Sequence, residues 1–236
     1  MNDDKLRYEL RDQVACLILD DGKANAISHE TIAAVHAALD RAESEARAVL
    51  LTGRPGRLSA GFDLNTMRSG PDQVRGLVEA GARMLLRLYR HPRPVVVACT
   101  GHALAAGAIL LLVGDRRIGA RGDFKIGLNE VAIGLTLPVF AVELARDRLS
   151  KRHFTAAVTQ AAIYDPDAAV DAGYLDRSVS PDELLAAAFD EARRLGELGN
   201  AFGNTKKNER GRTIQYIEDT LAEDMAHIAP QAQAPK

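Results

Sequence analysis

Residues 95–107 read VVVACTGHALAAG. The first five, Val95 to Cys99, make an unbroken apolar run rich in β-branched residues, the pattern of a strand covered on both faces. Small residues follow at Gly101, Ala105, Ala106, Gly107 and Ala108, where a bare backbone can come close to another. A doubly covered strand belongs in a parallel sheet flanked by helices, so its neighbours in sequence should alternate strand and helix.

Upstream they do. Val14 to Leu19 (VACLIL) reads as a buried strand ending in the turn Asp20-Asp21-Gly22-Lys23-Ala24-Asn25. Ser28 to Glu45 has helical spacing, with Ile32, Val35 and Leu39 on one face. Ala48 to Thr52 is the next strand, broken at Gly53-Arg54-Pro55-Gly56-Arg57, and strand–helix–strand implies a parallel crossover. Asp72 to Tyr89 is a second helix, stopped by His91-Pro92-Arg93-Pro94.

Downstream, Ile109 to Val113 continues as a helix and Arg116 to Ala120 as a strand. Helices then dominate: Pro138 to Leu149, Lys151 to Thr159, and Asp165 to Ala172 with Asp165 as N-cap, Pro166 at the first position and Gly173 as stop. Leu175 to Val179 is one more short strand. Ser180-Pro181-Asp182-Glu183 is a capping box opening a helix to about Leu198, and a last helix covers Thr205 to Ala226. The Ala/Gln/Pro tail from Ile228 has no periodicity and reads as disordered. These features predict one α/β core over residues 1–198 and a helical C-terminal region with its tail over 199–236.

Composition narrows the function classes. Lys plus Arg number 30 against 32 Asp plus Glu, a balance without the basic excess that nucleic acid or a polybasic membrane anchor demands. Cys16 and Cys99 lie in apolar runs without metal-type spacing, so no metal site is expected. The charged start MNDDKLRYEL lacks an apolar leader, and no run approaches the roughly 20 apolar residues of a membrane helix, which predicts a cytoplasmic protein.

Glu130 is the carboxylate of interest. It stands in IGLNEVAIGLTLP, residues 126–138, between glycines in an apolar run, where desolvation would raise its pKa and make it a usable base. An ordinary solvated loop carboxylate is the alternative. Two strand-end loops, Leu58-Ser59-Ala60-Gly61-Phe62-Asp63 and Leu104-Ala105-Ala106-Gly107, offer small residues whose amides could hold an oxyanion, or simply tight packing. Arg57 to Gly61 lacks the leading glycine of a nucleophile elbow, His102 and His153 have no evident partner, and Asp63 suits a loop-bracing acceptor.

In order, SAGFDL, VVVACTGHALAAG, FKIGLNEVAIG and DPDAAVDAGYLDRSVSPDEL resemble the crotonase, or enoyl-CoA hydratase/isomerase, superfamily across about residues 10–200. The resemblance implies a spiral of ββα units, a C-terminal helical part that builds trimers or hexamers as dimers of trimers, acyl-CoA thioesters as ligands and no prosthetic group. It places the two oxyanion amides on Ala60 and Ala106, the second a departure from the usual glycine. Coenzyme A would meet Lys23, Ala24, Ala26, Ala60, Asp63 and Leu64, while Lys206 and Lys207 resemble a pair common in the family's last helices. The family's hydratases use two glutamates. Here those positions hold Ile109 and Glu130, and GLNE with SAGFDLNTM and LLRLYRHP is similar to the mitochondrial-type Δ3,Δ2-enoyl-CoA isomerases. One carboxylate suffices for an isomerase, in a site kept dry by Ile109, Val131 and Leu135. A hydratase or other CoA lyase, and a non-catalytic acyl-CoA-binding protein, are the other readings.

Overall fold

Residues 5–228 are described by a computed structural model, so the tail reading for 229–236 lies outside the described residues. Strands β1 (Leu6–Arg11) and β2 (Val14–Leu19) form an antiparallel hairpin. Helix α1 (His29–Glu45) leads to β3 (Ala48–Gly53) and β4 (Gly56–Ser59); α2 (Leu64–Met67) and α3 (Pro71–Tyr89) lead to β5 (Val95–Cys99) and β6 (Gly101–Leu104); α4 (Ala106–Leu112) leads to β7 (Arg116–Ala120) and β8 (Ile126–Gly127). Each turn thus adds one strand to each of two sheets. The larger runs β1-β2-β3-β5-β7 and ends on β9 (Arg177–Val179), parallel apart from β1. The smaller runs β4-β6-β8, also parallel.

Period-two alternation splits the larger sheet's side chains between two cores. Ala15, Leu17, Val49, Leu51, Val95 and Val97 face the interior of the spiral with α1, α3 and α4. Val14, Cys16, Leu50, Val96, Ala98 and Ile118 face α8 (Pro181–Gly196), which covers them with Leu184, Ala188, Phe189, Ala192 and Leu195. Both faces of the β5 strand are therefore dry, as its unbroken apolar run requires.

The remaining helices are α5 (Val139–Arg148), α6 (Lys151–Val158), α7 (Pro166–Ala172) and α9 (Gly199–Ala226). Asp165 caps α7 by accepting the Ala168 amide at 2.8 Å, and Gly173 ends it in the left-handed region, as expected. Four readings change. β1 was hidden because its residues are largely charged and exposed, and its turn uses Asp12 and Gln13 at φ 44° and 62° where glycine or asparagine would signal a hairpin. The β4, β6 and β8 strands, only four, four and two residues long, read as loops in sequence. At α8 the Ser180 hydroxyl donates to Glu183 Oε2 at 2.7 Å instead of accepting the Glu183 amide, so the box is not formed although the helix begins where it predicts. Lastly, α9 starts at Gly199, six residues before Thr205; Gly203 weakens the helical signal, but it lies so close to the chain that a Cβ there would stand 2.5 Å from the Pro92 carbonyl oxygen.

Long α9 returns to its own core. Lys206 Nζ and Arg210 meet the two oxygens of Asp115 at 2.7 and 2.8 Å, beyond the end of α4. Asp115 also accepts the Val95 amide at 2.7 Å, and Arg210 donates to the Tyr89 carbonyl at 2.7 Å. Near its other end, Asp224 accepts the Val139 amide at 3.0 Å and so caps α5. No helix among the described residues is long and apolar enough to cross a membrane.

Candidate active site

Three strand-end segments of the smaller sheet carry the predicted site: the loop after β4, the turn from β6 into α4, and the loop after β8. Two glycines let the first two touch. A Cβ on Gly107 would sit 2.2 Å from the Ser59 carbonyl oxygen, and one on Gly61, at φ +96°, would sit 3.3 Å from the Ala106 nitrogen. Only a residue without a side chain fits at either point.

Ala106 is the first residue of α4, with the helical backbone that alanine accepts, and its amide, one of the free donors of a helix start, has no partner among the described residues. The strain falls one residue earlier. Ala105 holds φ 52° and ψ −128°, a conformation that favours glycine.

Ala60 does not serve as expected. Its amide donates to the Ala24 carbonyl at 3.0 Å, which closes it to a ligand. The loop's open donor is Phe62. Ile27 pairs across the loop, its amide donating to Gly61 and its carbonyl accepting from Asp63 at 2.9 and 3.1 Å. Successive amides of an extended chain face opposite ways, so the Phe62 amide points away from Ile27. It has no partner among the described residues. The Phe62 ring packs where a Gly81 side chain would be, which anchors the loop on α3. Residue spacing could not reveal this, because the turn at Gly61 decides which amide faces outward.

Asp63 behaves as predicted. It caps α2 by accepting the Thr66 amide at 2.8 Å and the Thr66 hydroxyl at 2.9 Å, and Leu64 beside it is exposed. The turn before α1 is built more tightly than the sequence suggests. Asp21 accepts the amides of Lys23, Asn25 and Ala26 at 2.7, 2.8 and 3.0 Å. Burial alone would raise the Asp21 pKa, but those amides and Arg54 outweigh it and hold the carboxyl below its ordinary value. Buried Asn25, at φ 49°, donates to the Leu19 and Leu58 carbonyls, while Ser59 Oγ donates to the Asn25 carbonyl at 2.7 Å. The Lys23 and Ala26 amides are thus closed to a ligand. What this turn still offers includes the Ala24 carbonyl, which keeps a second lone pair beside its bond from Ala60, whereas the Ala26 carbonyl already accepts the Ser28 amide at 3.1 Å and the Thr31 hydroxyl at 3.0 Å and is closed to a ligand.

Glu130 is buried, 9% exposed, and its Oε2 has no hydrogen-bond partner. Burial lifts its pKa from 4.5 to about 7, against a small opposing effect of its own amide. Ile109 is buried as predicted. Val131 is not, for the 3₁₀ turn Val131–Ile133 directs it outward at 43% exposure, so the surround that desolvates Glu130 does not include it.

The other candidates fall elsewhere. Lys206 is buried against Asp115, where desolvation brings it down to about 8 despite the ion pair; it is neither solvated nor open to a phosphate, whereas Lys207 is exposed. His102 accepts the Lys125 amide at 3.0 Å. His153 does have a serine neighbour, Ser150 Oγ at 2.8 Å, at the start of α6, three residues away. No group of three or more His, Cys, Asp or Glu that could hold a metal occurs among the described residues.

Comparison with known proteins adds independent observations. A sequence model of the family described as enoyl-CoA hydratase/isomerase matches residues 9–227. Human mitochondrial enoyl-CoA delta isomerase 1 is 29% identical over 228 residues, spanning 89% of this chain and 76% of the relative. A probable enoyl-CoA hydratase of Mycobacterium avium is 30% identical over 187 residues, spanning 77% and 72%. The solved structure of an enoyl-CoA hydratase/isomerase family protein from Pseudomonas syringae is similar with a TM-score of 0.93 at 45% identity, covering 96% of this chain and 99% of that one.

Proposed function

The chain belongs to the enoyl-CoA hydratase/isomerase family, and within it we propose that it is a Δ3,Δ2-enoyl-CoA isomerase with Glu130 as its single proton carrier. The observation that carries this reading is a desolvated carboxylate, lifted to about 7, and the family resemblance puts buried, apolar Ile109 where a hydratase has its other glutamate. Hydration needs a water held and activated between two carboxylates, and isoleucine can neither hold nor activate one.

Ionised Glu130 takes a proton from C2 of the 3-enoyl thioester. The C2–H electron pair enters the conjugated system, and negative charge collects on the thioester oxygen. The Phe62 and Ala106 amides receive that oxygen, Phe62 taking the role expected of Ala60. Protonated Glu130 then gives the proton to C4, the double bond settles between C2 and C3, and the carboxylate is regenerated. A carboxyl near 7 is suited to both half-steps, since it gives and takes a proton at similar cost around neutral pH. The nucleotide end of coenzyme A meets the carbonyls of Lys23 and Ala24, beside Asp63 and Leu64. A homotrimer, or a hexamer of two trimers, in the cytoplasm belongs to the same reading.

Purified protein is incubated with 3-enoyl-CoA and, separately, with 2-enoyl-CoA. Growth of conjugated thioester absorbance from the first supports the isomerase, and its loss from the second supports a hydratase. No turnover of either, with binding retained, supports a binding protein. Glu130→Gln is expected to abolish turnover and leave affinity for CoA ligands nearly unchanged.

A further inference from the structure

The β1 strand is an edge of the larger sheet, paired with β2 on one side alone. Beyond its first residue the same register continues to Lys5 and Asp20, where the Asp20 amide donates to the Lys5 carbonyl at 3.1 Å. Hydrogen-bonded pairs alternate along an antiparallel ladder, so Arg7, Glu9 and Arg11 bond to β2 while the amides and carbonyls of Leu6, Tyr8 and Leu10 point outward. Those outward groups have no partner among the described residues. An open row of this kind is a template for a further strand, and natural edges are commonly blunted by a proline, a bulge or a covering element. Here the strand carries no proline, and its register with β2 runs unbroken from Leu6 to Arg11.

The side chains decide what fits there. On the face toward α1, Tyr8 is fixed, its hydroxyl donating to Glu45 Oε2 at 3.0 Å and Arg41 lying over its ring at 3.9 Å, with half-buried Leu6 on one side and Leu10, 47% exposed, on the other. On the opposite face Arg11 rests on the Phe189 ring of α8 at 4.4 Å, and Arg7 meets Glu9 at 2.9 Å in the open. Read in reverse about Tyr8, Leu6-Arg7-Tyr8-Glu9-Leu10 is its own complement. A second copy laid antiparallel with Tyr8 opposite Tyr8 sets Leu6 against Leu10 and Arg7 against Glu9, each pair twice. Apolar meets apolar on one face. Opposite charges meet on the other, at the non-hydrogen-bonded positions where side chains stand closest, and every outward amide and carbonyl finds one of the other copy. Lys5 against Arg11, at the two ends, is the like-charged pair of this register. Centring on Arg7 or on Glu9 instead puts like charges face to face on the axis, centring on Leu6 sets Lys5 against Arg7, and centring on Leu10 runs the strand into the Asp12-Gln13 turn.

We propose that the β1 edge is a self-pairing surface, joining two copies of this chain about a two-fold axis at Tyr8 so that one sheet continues across both. A contact of this kind uses the same patch on each copy and closes on itself, so it stops at two partners. The pairing stands apart from the Glu130 reading. Where the proposed trimer forms, it joins two trimers, and that consequence alone rests on the trimer.

Sedimentation equilibrium of the purified full chain reads the pairing as a factor of two in mass. Leu10→Pro deletes an outward amide and leaves the ladder to β2 intact, so its mass is expected to be half that of wild type: a step from six chains to three with the trimer, or from two to one without it. Glu9→Arg and Arg7→Glu, both at exposed positions, are each expected to halve the mass by setting like charges opposite one another. An equimolar mixture of those two variants is expected to regain the full mass, because each then faces the other's opposite charges, and the double variant Arg7→Glu/Glu9→Arg is expected to keep it. Local damage to β1 would persist in the mixture. Equal masses for wild type and Leu10→Pro overturn the proposal, as do single reversals that keep the full mass or a mixture that stays halved. Hydrogen exchange gives a second reading: peptides over residues 5–11 should exchange more slowly in wild type than in Glu9→Arg, and equal rates contradict the pairing.

Discussion

Glu130 holds its proton to about pH 7 where an unfolded chain releases it near 4.5, because burial disfavours the charged form. Between those values the native state binds more protons than the unfolded one, so this group's contribution to stability falls as pH rises and levels off above about 7. Its neutral counterpart escapes that loss. Chemical denaturation of wild type and Glu130→Gln should therefore diverge from pH 4 to pH 8 by roughly 3 kcal/mol in favour of the variant; parallel stability curves would contradict the raised pKa. Ala105 carries a cost of another kind, its φ of 52° lying where a side chain is strained. Ala105→Gly is expected to stabilise by about 1 kcal/mol, read as a rise in melting temperature, while a fall would show the conformation to be unstrained. The burial of Glu130 was legible in its apolar flanks and intervening glycines. The direction of the amides was not, since Ala60 and Phe62 exchange roles through one left-handed glycine that spacing cannot reveal.

Among the elements, the long buried strand and the helices with clear caps were readable because period and punctuation are local properties. Val95–Cys99 and Pro166–Ala172 appear where the sequence puts them. The smaller sheet was not readable, for four-residue and two-residue strands carry no period. Nor was the start of α9, whose first turns depend on contacts with distant segments. Asp115 is the hinge of that attachment, answering Lys206, Arg210 and the Val95 amide with one carboxylate. Its removal leaves two buried cations and one amide without their acceptor. Asp115→Ala is expected to cost about 3–5 kcal/mol in urea denaturation, and a loss under 1 kcal/mol would mean that α9 is held by its apolar contacts alone.

At the scale of the whole molecule, two sheets built by repeated ββα turns bring the ends of three parallel strands of the smaller sheet side by side, and the active-site proposal depends on that convergence. The family resemblance made the architecture legible beyond what local pattern allowed, and the 0.93 structural similarity agrees with it. Assembly was expected from resemblance, and light scattering on the purified chain should give three chain masses or six; a monomer would remove the trimer from the proposal. The central claim is that one buried carboxylate moves a proton from C2 to C4. Following conjugated thioester absorbance after 3-enoyl-CoA is mixed with wild type and with Glu130→Gln tests it most directly. Turnover by wild type, and its loss in the variant with CoA binding intact, is the predicted result; undiminished turnover without Glu130 would contradict it.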